Sequence, residues 1–266
     1  MLEYDFMRHA FAAAGIVAVL GGLVGYFLVL RGQAFAGHAL SHVGFAGATG
    51  AVLIGISPLA GMLAVTTLGG LAMGLLGDRL VERDVAIGVV LTLALGLGLL
   101  FLHFFTAYAT QATALLFGDV LGVSRATLIQ LLVLAFFTLG LLGLISRPLL
   151  FASVSPELAE AKGVTLRGFG LVFLGLVGLA TAACAQIVGV LLVFALLVGP
   201  AATAQRLCGR IVPGLLLSAT LALTEAWAGI ALSYFTDWPA SFWISGLSGG
   251  IYLLALCLPA LAARRD

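Results

Sequence analysis

Three ionisable side chains stand out in a chain that is almost entirely apolar. His38 and His42 are four residues apart, and Glu225 comes much later, in another apolar run. In a helix, a spacing of four residues places both imidazoles on the same face, one turn apart. Two imidazoles and a carboxylate are suitable ligands for zinc, manganese or iron(II). The sequence therefore predicts a divalent-metal site that contains His38, His42 and Glu225.

Other interpretations of these residues stay open at this point. The histidines could line a polar helix entrance without metal, and Glu225 could be a protonated carboxyl bonded to a neighbouring helix. Counting about 1.5 Å per residue places His42 near the cytoplasmic end of its helix and Glu225 near the middle of its own. The three groups meet only if the helices tilt or if the second helix begins deeper in the membrane.

The composition identifies lipid as the solvent for most of the chain. Hydrophobic residues occupy 62% of the 266 positions and charged residues only 9%, whereas a soluble domain carries about 25% charged residues. The net charge of +1 gives no indication of nucleic-acid binding, and the three cysteines form no CxxC pair. We therefore predict an all-α, polytopic integral membrane protein with one transmembrane domain over residues 1–266.

Apolar runs of about 20 residues, the length that crosses a bilayer, predict eight or nine transmembrane helices. Two pairs of runs, the second with the third and the sixth with the seventh, have very short joins. Either member of a pair could be a broken or re-entrant segment, which leaves both counts open. The runs cover residues 10–30, 39–57, 59–77, 85–105, 128–146, 168–184, 186–204, 213–235 and 241–261.

Basic residues separate cleanly between the two sides of these spans. If the loop that contains Arg31 is cytoplasmic, only Arg8 and Arg125 fall outside. The positive-inside rule then favours an odd number of spans in the cytoplasmic membrane, with the N-terminus outside and the C-terminus in the cytoplasm. The residues on the cytoplasmic side are Arg31, Arg79, Arg83, Arg147, Lys162, Arg167, Arg206, Arg210, Arg264 and Arg265.

Two connecting segments are expected to have structure of their own. Residues 106–127 are too apolar for a free loop and are predicted to form an external or re-entrant element against the helix ends. In the cytoplasmic segment 147–167, Ser155 is a good N-cap, Pro156 suits the first helical position and Gly163 is a good helix stop. A short cytoplasmic helix is therefore predicted there.

The remaining candidates and the absent motifs narrow the possible functions. His103 is typical of a histidine at the membrane interface, and Asp119 is typical of a turn or cap residue. The sequence has no G-x-x-x-x-G-K-[ST] phosphate loop, and Ala39 occupies the glutamate position of the metalloprotease motif H-E-x-x-H. Without a general base beside the histidines, the chain is not predicted to be an enzyme.

Four motifs together carry a resemblance to a known family. They lie at residues 30–42, at 116–124, at 155–159 with 162–164, and at 189–193 with 199–204. In this order they resemble the permeases of the manganese, zinc and iron class of ATP-binding-cassette importers. The matching region runs from about residue 10 to about residue 260.

This resemblance implies a homodimeric permease that carries a divalent transition metal by alternating access. ATP would be hydrolysed on a separate cytoplasmic ATP-binding-cassette subunit, and an external metal-binding protein would deliver the ion. The metal is cargo at a transient site, and no permanently bound cofactor is expected. The residues implied to couple the permease to the ATPase are Ser155, Pro156, Glu157, Leu158, Ala159 and Gly163.

The resemblance also bears on the choice of metal. Members of the family commonly have an acidic residue at the position of His38, the histidine four residues later, and a glutamate near the position of Glu225. Because His38 replaces the acid with a softer nitrogen ligand, zinc is favoured over manganese. The alternative function is a proton-coupled secondary metal transporter with Glu225 as proton relay, although such a carrier needs no docking helix.

Overall fold

The computed structural model describes residues 1, 3–76, 80–104, 116–162 and 165–257, and within these ranges every regular element is a helix. The predicted all-α fold is therefore confirmed. The helices are α1 (Asp5–Leu30), α2 (Ala34–Leu53), α3 (Pro58–Leu76), α4 (Leu80–His103), α5 (Arg125–Val154), α6 (Pro156–Ala161), α7 (Leu166–Val188), α8 (Val193–Leu207), α9 (Ile211–Thr236) and α10 (Ala240–Cys257).

The described helices differ in whether they can cross a membrane. Seven of them, namely α1, α3, α4, α5, α7, α9 and α10, are long and apolar enough to do so. With 15 residues, α8 is about 22 Å long, too short for a hydrocarbon core of about 30 Å. The predicted run 186–204 is therefore the broken member of its pair, because residues 189–192 interrupt it before α8 begins.

Contacts along α1 fix the directions of the helices around it. The Cys184 thiol of α7 lies 3.5 Å from the Val17 carbonyl oxygen, while the Arg31 guanidinium lies 5.7 Å from the centre of the Phe173 ring. Later residues of α7 thus meet earlier residues of α1, so the two helices are antiparallel. A hydrogen bond also joins α9 to α1: the Ser218 hydroxyl donates to the Gly22 carbonyl oxygen at 2.7 Å.

These directions separate the basic residues between two ends of the bundle. Arg125 begins α5, and Ser153 near the end of α5 accepts a hydrogen bond from Arg31. Arg31 and Arg125 therefore lie at opposite ends, as the positive-inside argument requires, and Arg8 lies at the Arg125 end. Among the described residues, the Arg31 end also carries Lys162, Arg167, Arg206 and Arg210. Arg79, Arg264 and Arg265 lie outside the described residues.

Small residues allow the helices to approach closely at the centre of the bundle. A Cβ atom on Gly25 of α1 would collide with the backbone of Leu197 in α8, and one on Gly61 of α3 would collide with the backbone of Gly47 in α2. Such close contacts between helices are typical of membrane proteins, where small residues replace the hydrophobic drive for association. The short helix α8 is held against α1 in this way.

The segment before α5 packs against the break between α7 and α8. Gly118 and Gly189 both have positive φ, at 80° and 85°, and a Cβ on either would collide with backbone of the other segment. The Leu191 amide donates to the Leu116 carbonyl oxygen at 3.3 Å. The predicted packing of this element against helix ends is thus confirmed for residues 116–124, and residues 106–115 of the prediction lie outside the described part of the chain.

The short helix predicted within segment 147–167 is present as α6, with two differences. Ser155 occupies the N-cap position, but its side chain makes no capping hydrogen bond. The preceding span does not end at residue 146, because α5 continues through Pro148 to Val154. The predicted segment 147–167 therefore contains the last turns of α5 as well as α6. The predicted stop, Gly163, lies outside the described residues.

Candidate metal-binding site

The two histidines lie side by side on α2, as their spacing predicts. Their ring centres are 4.9 Å apart and the ring planes are nearly perpendicular, at 86°. α2 begins at Ala34, five residues before the predicted run, so His38 lies inside the helix and not at its entrance. Both imidazoles are half-buried. The backbone beneath them is held by Ser41, whose hydroxyl donates to the His38 carbonyl oxygen at 2.7 Å.

An aromatic side chain from α8 covers part of this pair. The ring centre of Phe194 lies 5.4 Å from that of His38, at an angle of 80°. Phe194 belongs to the first turn of α8, so it reaches the histidines only because α8 begins within the bundle. The sequence pointed to a break in this region but did not identify Phe194. The feature that could have identified it is its position near the start of the short apolar run that follows Gly189.

Glu225 lies in a different environment, inside α9. Only 1% of it is exposed, and neither carboxyl oxygen has a hydrogen-bond partner among the described residues. The Ser248 hydroxyl lies beside it but donates to the Ala195 carbonyl oxygen at 3.0 Å. An isolated carboxylate in an apolar interior is costly. This group therefore needs a proton, a water molecule or a cation.

The structure brings the histidines together but leaves Glu225 apart from them. In the described part of the chain, no three His, Cys, Asp or Glu side chains are close enough to hold a metal ion. The contacts that lead from His38 to Glu225 run through Phe194, Ala195 and Ser248. The first turn of α8 thus links the two halves of the predicted site.

The difference in depth between the two halves agrees with residue counting. Trp227, two residues after Glu225, donates to the Phe11 carbonyl oxygen of α1 at 3.0 Å, and Ser218 reaches Gly22. Glu225 therefore lies between the levels of Phe11 and Gly22 of α1, away from the Arg31 end. His38 lies closer to the Arg31 end, because it is in the second turn of α2.

Two other ionisable residues have the structural roles that the sequence favours. His103 is the last residue of α4 and packs against the ring of Phe104 at 5.8 Å. Asp119 accepts a hydrogen bond from the Gly122 amide at 2.9 Å, which is a turn contact. Asp119 also lines two cavities of about 1130 Å³ and about 550 Å³ at the Arg125 end of the bundle, which the sequence did not reveal.

The predicted coupling residues that the structure describes, Ser155 to Ala159, lie at the Arg31 end. Ala159 is fully buried, whereas Leu158 is 60% exposed. Glu157 and Glu160 are exposed on either side of Leu158. α6 packs mainly against α5 and α7, and its exposed face carries one apolar and two acidic side chains.

Comparisons with known proteins show which family the chain belongs to. Residues 3–259 match the ABC 3 transport family. The chain is 34% identical over 238 residues to the manganese transport system membrane protein MntC of Halalkalibacterium halodurans, with 89% of this chain and 82% of the relative covered. It is 31% identical over 266 residues, with both chains fully covered, to a probable metal transport system membrane protein of Treponema pallidum.

A solved structure shares the fold over almost the whole chain. The structure of PsaBC from Streptococcus pneumoniae in complex with Fab superposes with a TM-score of 0.88 at 24% identity, and 99% of this chain and 95% of that chain are covered. The motifs, the helical bundle and the full-length relatives therefore agree. The chain belongs to the ABC 3 transport family, as a permease of the ATP-binding-cassette metal-transport class.

Proposed function

We propose that the chain is the transmembrane permease subunit of an ATP-driven importer of a divalent transition metal: zinc, manganese or iron. The observation that carries this proposal is the adjacent pair His38 and His42 on one face of α2, in a chain of a metal-transport family. The buried carboxyl of Glu225, without a hydrogen-bond partner in the described residues, supplies a further anionic ligand. ATP is hydrolysed on a separate subunit.

The separation of the two half-sites suits alternating access. The ion arrives from an extracytoplasmic metal-binding protein and meets Glu225 and the histidine pair transiently. Because Phe194 contacts His38 and the Ala195 carbonyl oxygen accepts from Ser248 beside Glu225, a small movement of this turn changes the access of both half-sites. A transient site with few ligands also lets the ion leave, which conduction requires.

The proposal assigns the Arg31 end of the bundle to the cytoplasm. The basic residues at that end, from Arg31 to Arg210, support this orientation through the positive-inside rule. The last described residue, Cys257, lies at the same end, because Arg206 donates to the Ala255 carbonyl oxygen at 2.9 Å. The C-terminus is then cytoplasmic, in the multi-pass arrangement of an inner-membrane protein.

Two partners complete the proposed transporter. A second copy of the chain forms a homodimer, and a cytoplasmic ATP-binding-cassette subunit docks on α6. The exposed Leu158 between Glu157 and Glu160 supports docking, because an apolar contact ringed by charges is typical of a protein interface. Reversing the charge with Glu157→Lys should reduce permease stimulation of ATP hydrolysis by about fivefold. Glu3→Lys, at the opposite end, is the matched control, and normal stimulation by Glu157→Lys would argue against docking here.

Two observations point to different metals within the proposed class. The relative from H. halodurans is named for manganese transport, whereas His38 supplies a nitrogen ligand that favours zinc. Competition uptake of Zn²⁺, Mn²⁺ and Fe²⁺ by the reconstituted complex decides between them. The proposed function requires that uptake depend on both ATP and the ATPase subunit.

The alternative, a proton-coupled secondary metal transporter, is favoured by one observation. Glu225 is a buried carboxyl with no hydrogen-bond partner among the described residues, and such a group can carry a proton. The same vesicles test this alternative without the ATPase subunit, under an imposed pH gradient. Uptake that follows the gradient and ignores ATP would establish the alternative and reject the ATP-driven importer.

A further inference from the structure

Arg31 joins three helices at the proposed cytoplasmic end. Its Nη1 donates to the Ser153 hydroxyl of α5 at 3.1 Å, and its Nε donates to the Gln33 side-chain oxygen at 3.4 Å. The guanidinium also lies over the ring of Phe173 in α7, 5.7 Å from the ring centre. A half-buried arginine therefore connects α5, α7 and the N-terminal end of α2.

One end of this connection is next to the proposed docking helix. Ser153 precedes Ser155, the residue at which α5 ends and α6 begins, by two positions. α6 is attached to the same region, because Ala159 is fully buried and the Lys162 ammonium lies 5.7 Å from the centre of the Phe151 ring. A displacement of α6 therefore moves Ser153.

The other end of the connection is next to the histidines. Gln33 is the N-cap residue of α2 and is buried. His38 follows it by five positions in the same helix. A displacement of Gln33 along or across the helix axis therefore moves His38 and His42.

The chemistry of arginine suits a link of this kind. A guanidinium has a rigid planar fork of donors, so it can hold two acceptors in fixed relative positions, which a lysine ammonium cannot do. The acceptor on α5 is itself oriented, because the Ser153 hydroxyl donates its proton to the Leu149 carbonyl oxygen at 2.6 Å. The lone pairs of Ser153 are thereby left for Arg31.

We propose that Arg31 is the positioning residue that transmits displacement of α6 to the histidine-bearing helix α2. The inference rests on the proposed function, in which α6 docks on the ATPase and the histidines bind the metal. Movement of α6 carries the end of α5, Ser153 shifts the guanidinium, and Gln33 shifts the start of α2. Arg31 contacts no metal; it acts by setting the position of His38 and His42 in the transport cycle.

The test measures ATP hydrolysis and metal uptake together in vesicles that contain the permease and its ATPase. Arg31→Lys keeps the positive charge but loses the fork, and Ser153→Ala removes the acceptor. Arg206→Lys is the matched control, because Arg206 also donates to backbone carbonyls at this end, but those belong to α10. Uptake of Mn²⁺, Zn²⁺ and Fe²⁺ is measured for each variant.

For Arg31→Lys and Ser153→Ala we expect ATP hydrolysis to stay within about twofold of wild type, while metal moved per ATP falls about fivefold or more. The double variant should move as much metal per ATP as Arg31→Lys alone, because both changes remove the same hydrogen bond between Arg31 and Ser153. Arg206→Lys should keep the wild-type ratio. The melting temperature of each purified variant separates loss of coupling from loss of folding.

Three outcomes would overturn the inference. In the first, the ratio of uptake to hydrolysis is unchanged in Arg31→Lys; in the second, the two single changes are additive. In the third, hydrolysis and uptake fall in parallel with the melting temperature, which is the pattern of a purely structural residue. If the wild-type complex hydrolyses ATP without moving Mn²⁺, Zn²⁺ or Fe²⁺, the proposed function itself fails. A transporting wild type with a normal Arg31→Lys ratio rejects only the role of Arg31.

Discussion

The two halves of the candidate site solve the problem of a polar group in a membrane in different ways. His38 and His42 pack against each other and against Phe194, and both stay half-buried. Glu225 is fully buried and, in the described part of the chain, has no hydrogen-bond partner. Neutral imidazoles in aromatic contact are stable without a ligand, whereas a bare carboxylate is not. Glu225 is therefore the half-site that gains most from a cation.

The largest effect is expected from Glu225→Gln, which removes the charge and nearly preserves the shape. Uptake should fall by about tenfold or more, because a loss of about 1.4 kcal/mol in ion binding corresponds to a factor of ten. Stability should not fall, because the change removes an uncompensated buried charge. Transport assays and thermal unfolding of the same preparation measure both quantities. If stability fell in step with uptake, Glu225 would be a structural residue and the contrast with the histidines would disappear.

A smaller but still large effect is expected from His42→Ala, which leaves His38 without its neighbour. Uptake should fall by a factor approaching ten, because the pair loses one of its two imidazoles. His103→Ala is the control, since it removes an imidazole at the end of α4 and should leave uptake near wild type. Isothermal titration of metal against the purified permease gives the change in affinity directly. Equal behaviour of the two alanine variants would contradict a metal site at the pair.

The role of the histidine pair is tested by His38→Asp, which introduces the acidic residue that the resemblance implies at this position. An oxygen ligand in place of nitrogen should shift preference towards manganese, by about threefold to tenfold in the ratio of Mn²⁺ to Zn²⁺ uptake. Competition assays with both ions in one vesicle preparation measure this ratio. A ratio identical to wild type would mean that His38 does not contact the ion in transit.

The smallest effect is expected at the link between the halves, from Ser248→Ala. The hydrogen bond to the Ala195 carbonyl oxygen is lost, which should lower stability by about 1 kcal/mol and change uptake because the first turn of α8 is freed. Ser218→Ala is the matched control, since it removes a similar bond between α9 and Gly22 of α1. The link is supported if both variants lose stability but only Ser248→Ala alters transport. Identical behaviour of both variants argues against it.

The sequence was informative wherever a property depends on neighbours along the chain. The apolar runs located the helices, and the spacing of His38 and His42 placed both rings on one face. Residue counting warned that Glu225 lies deeper than His42. These inferences succeed because helical rise and periodicity are local.

The sequence failed where the outcome depends on packing between distant segments. The span that was expected to end at residue 146 continues through Pro148, because a proline interrupts one backbone bond but neighbouring groups can satisfy the freed carbonyl. The start of α8 was not predictable, since the break before it packs against a distant segment through the close backbone contact of Gly118 and Gly189. Phe194 and Ser248 were missed for the same reason: their partners are on other helices.

The short length of α8 has an electrostatic consequence. Its first turn lies within the bundle, and its N-cap residue, Leu192, makes no side-chain capping bond. The amide groups at that end carry the positive pole of the helix dipole. The positive pole of α8 therefore lies at the turn that links the two half-sites. A helix too short to cross the membrane thus places, inside the bundle, a potential that disfavours cations at this turn.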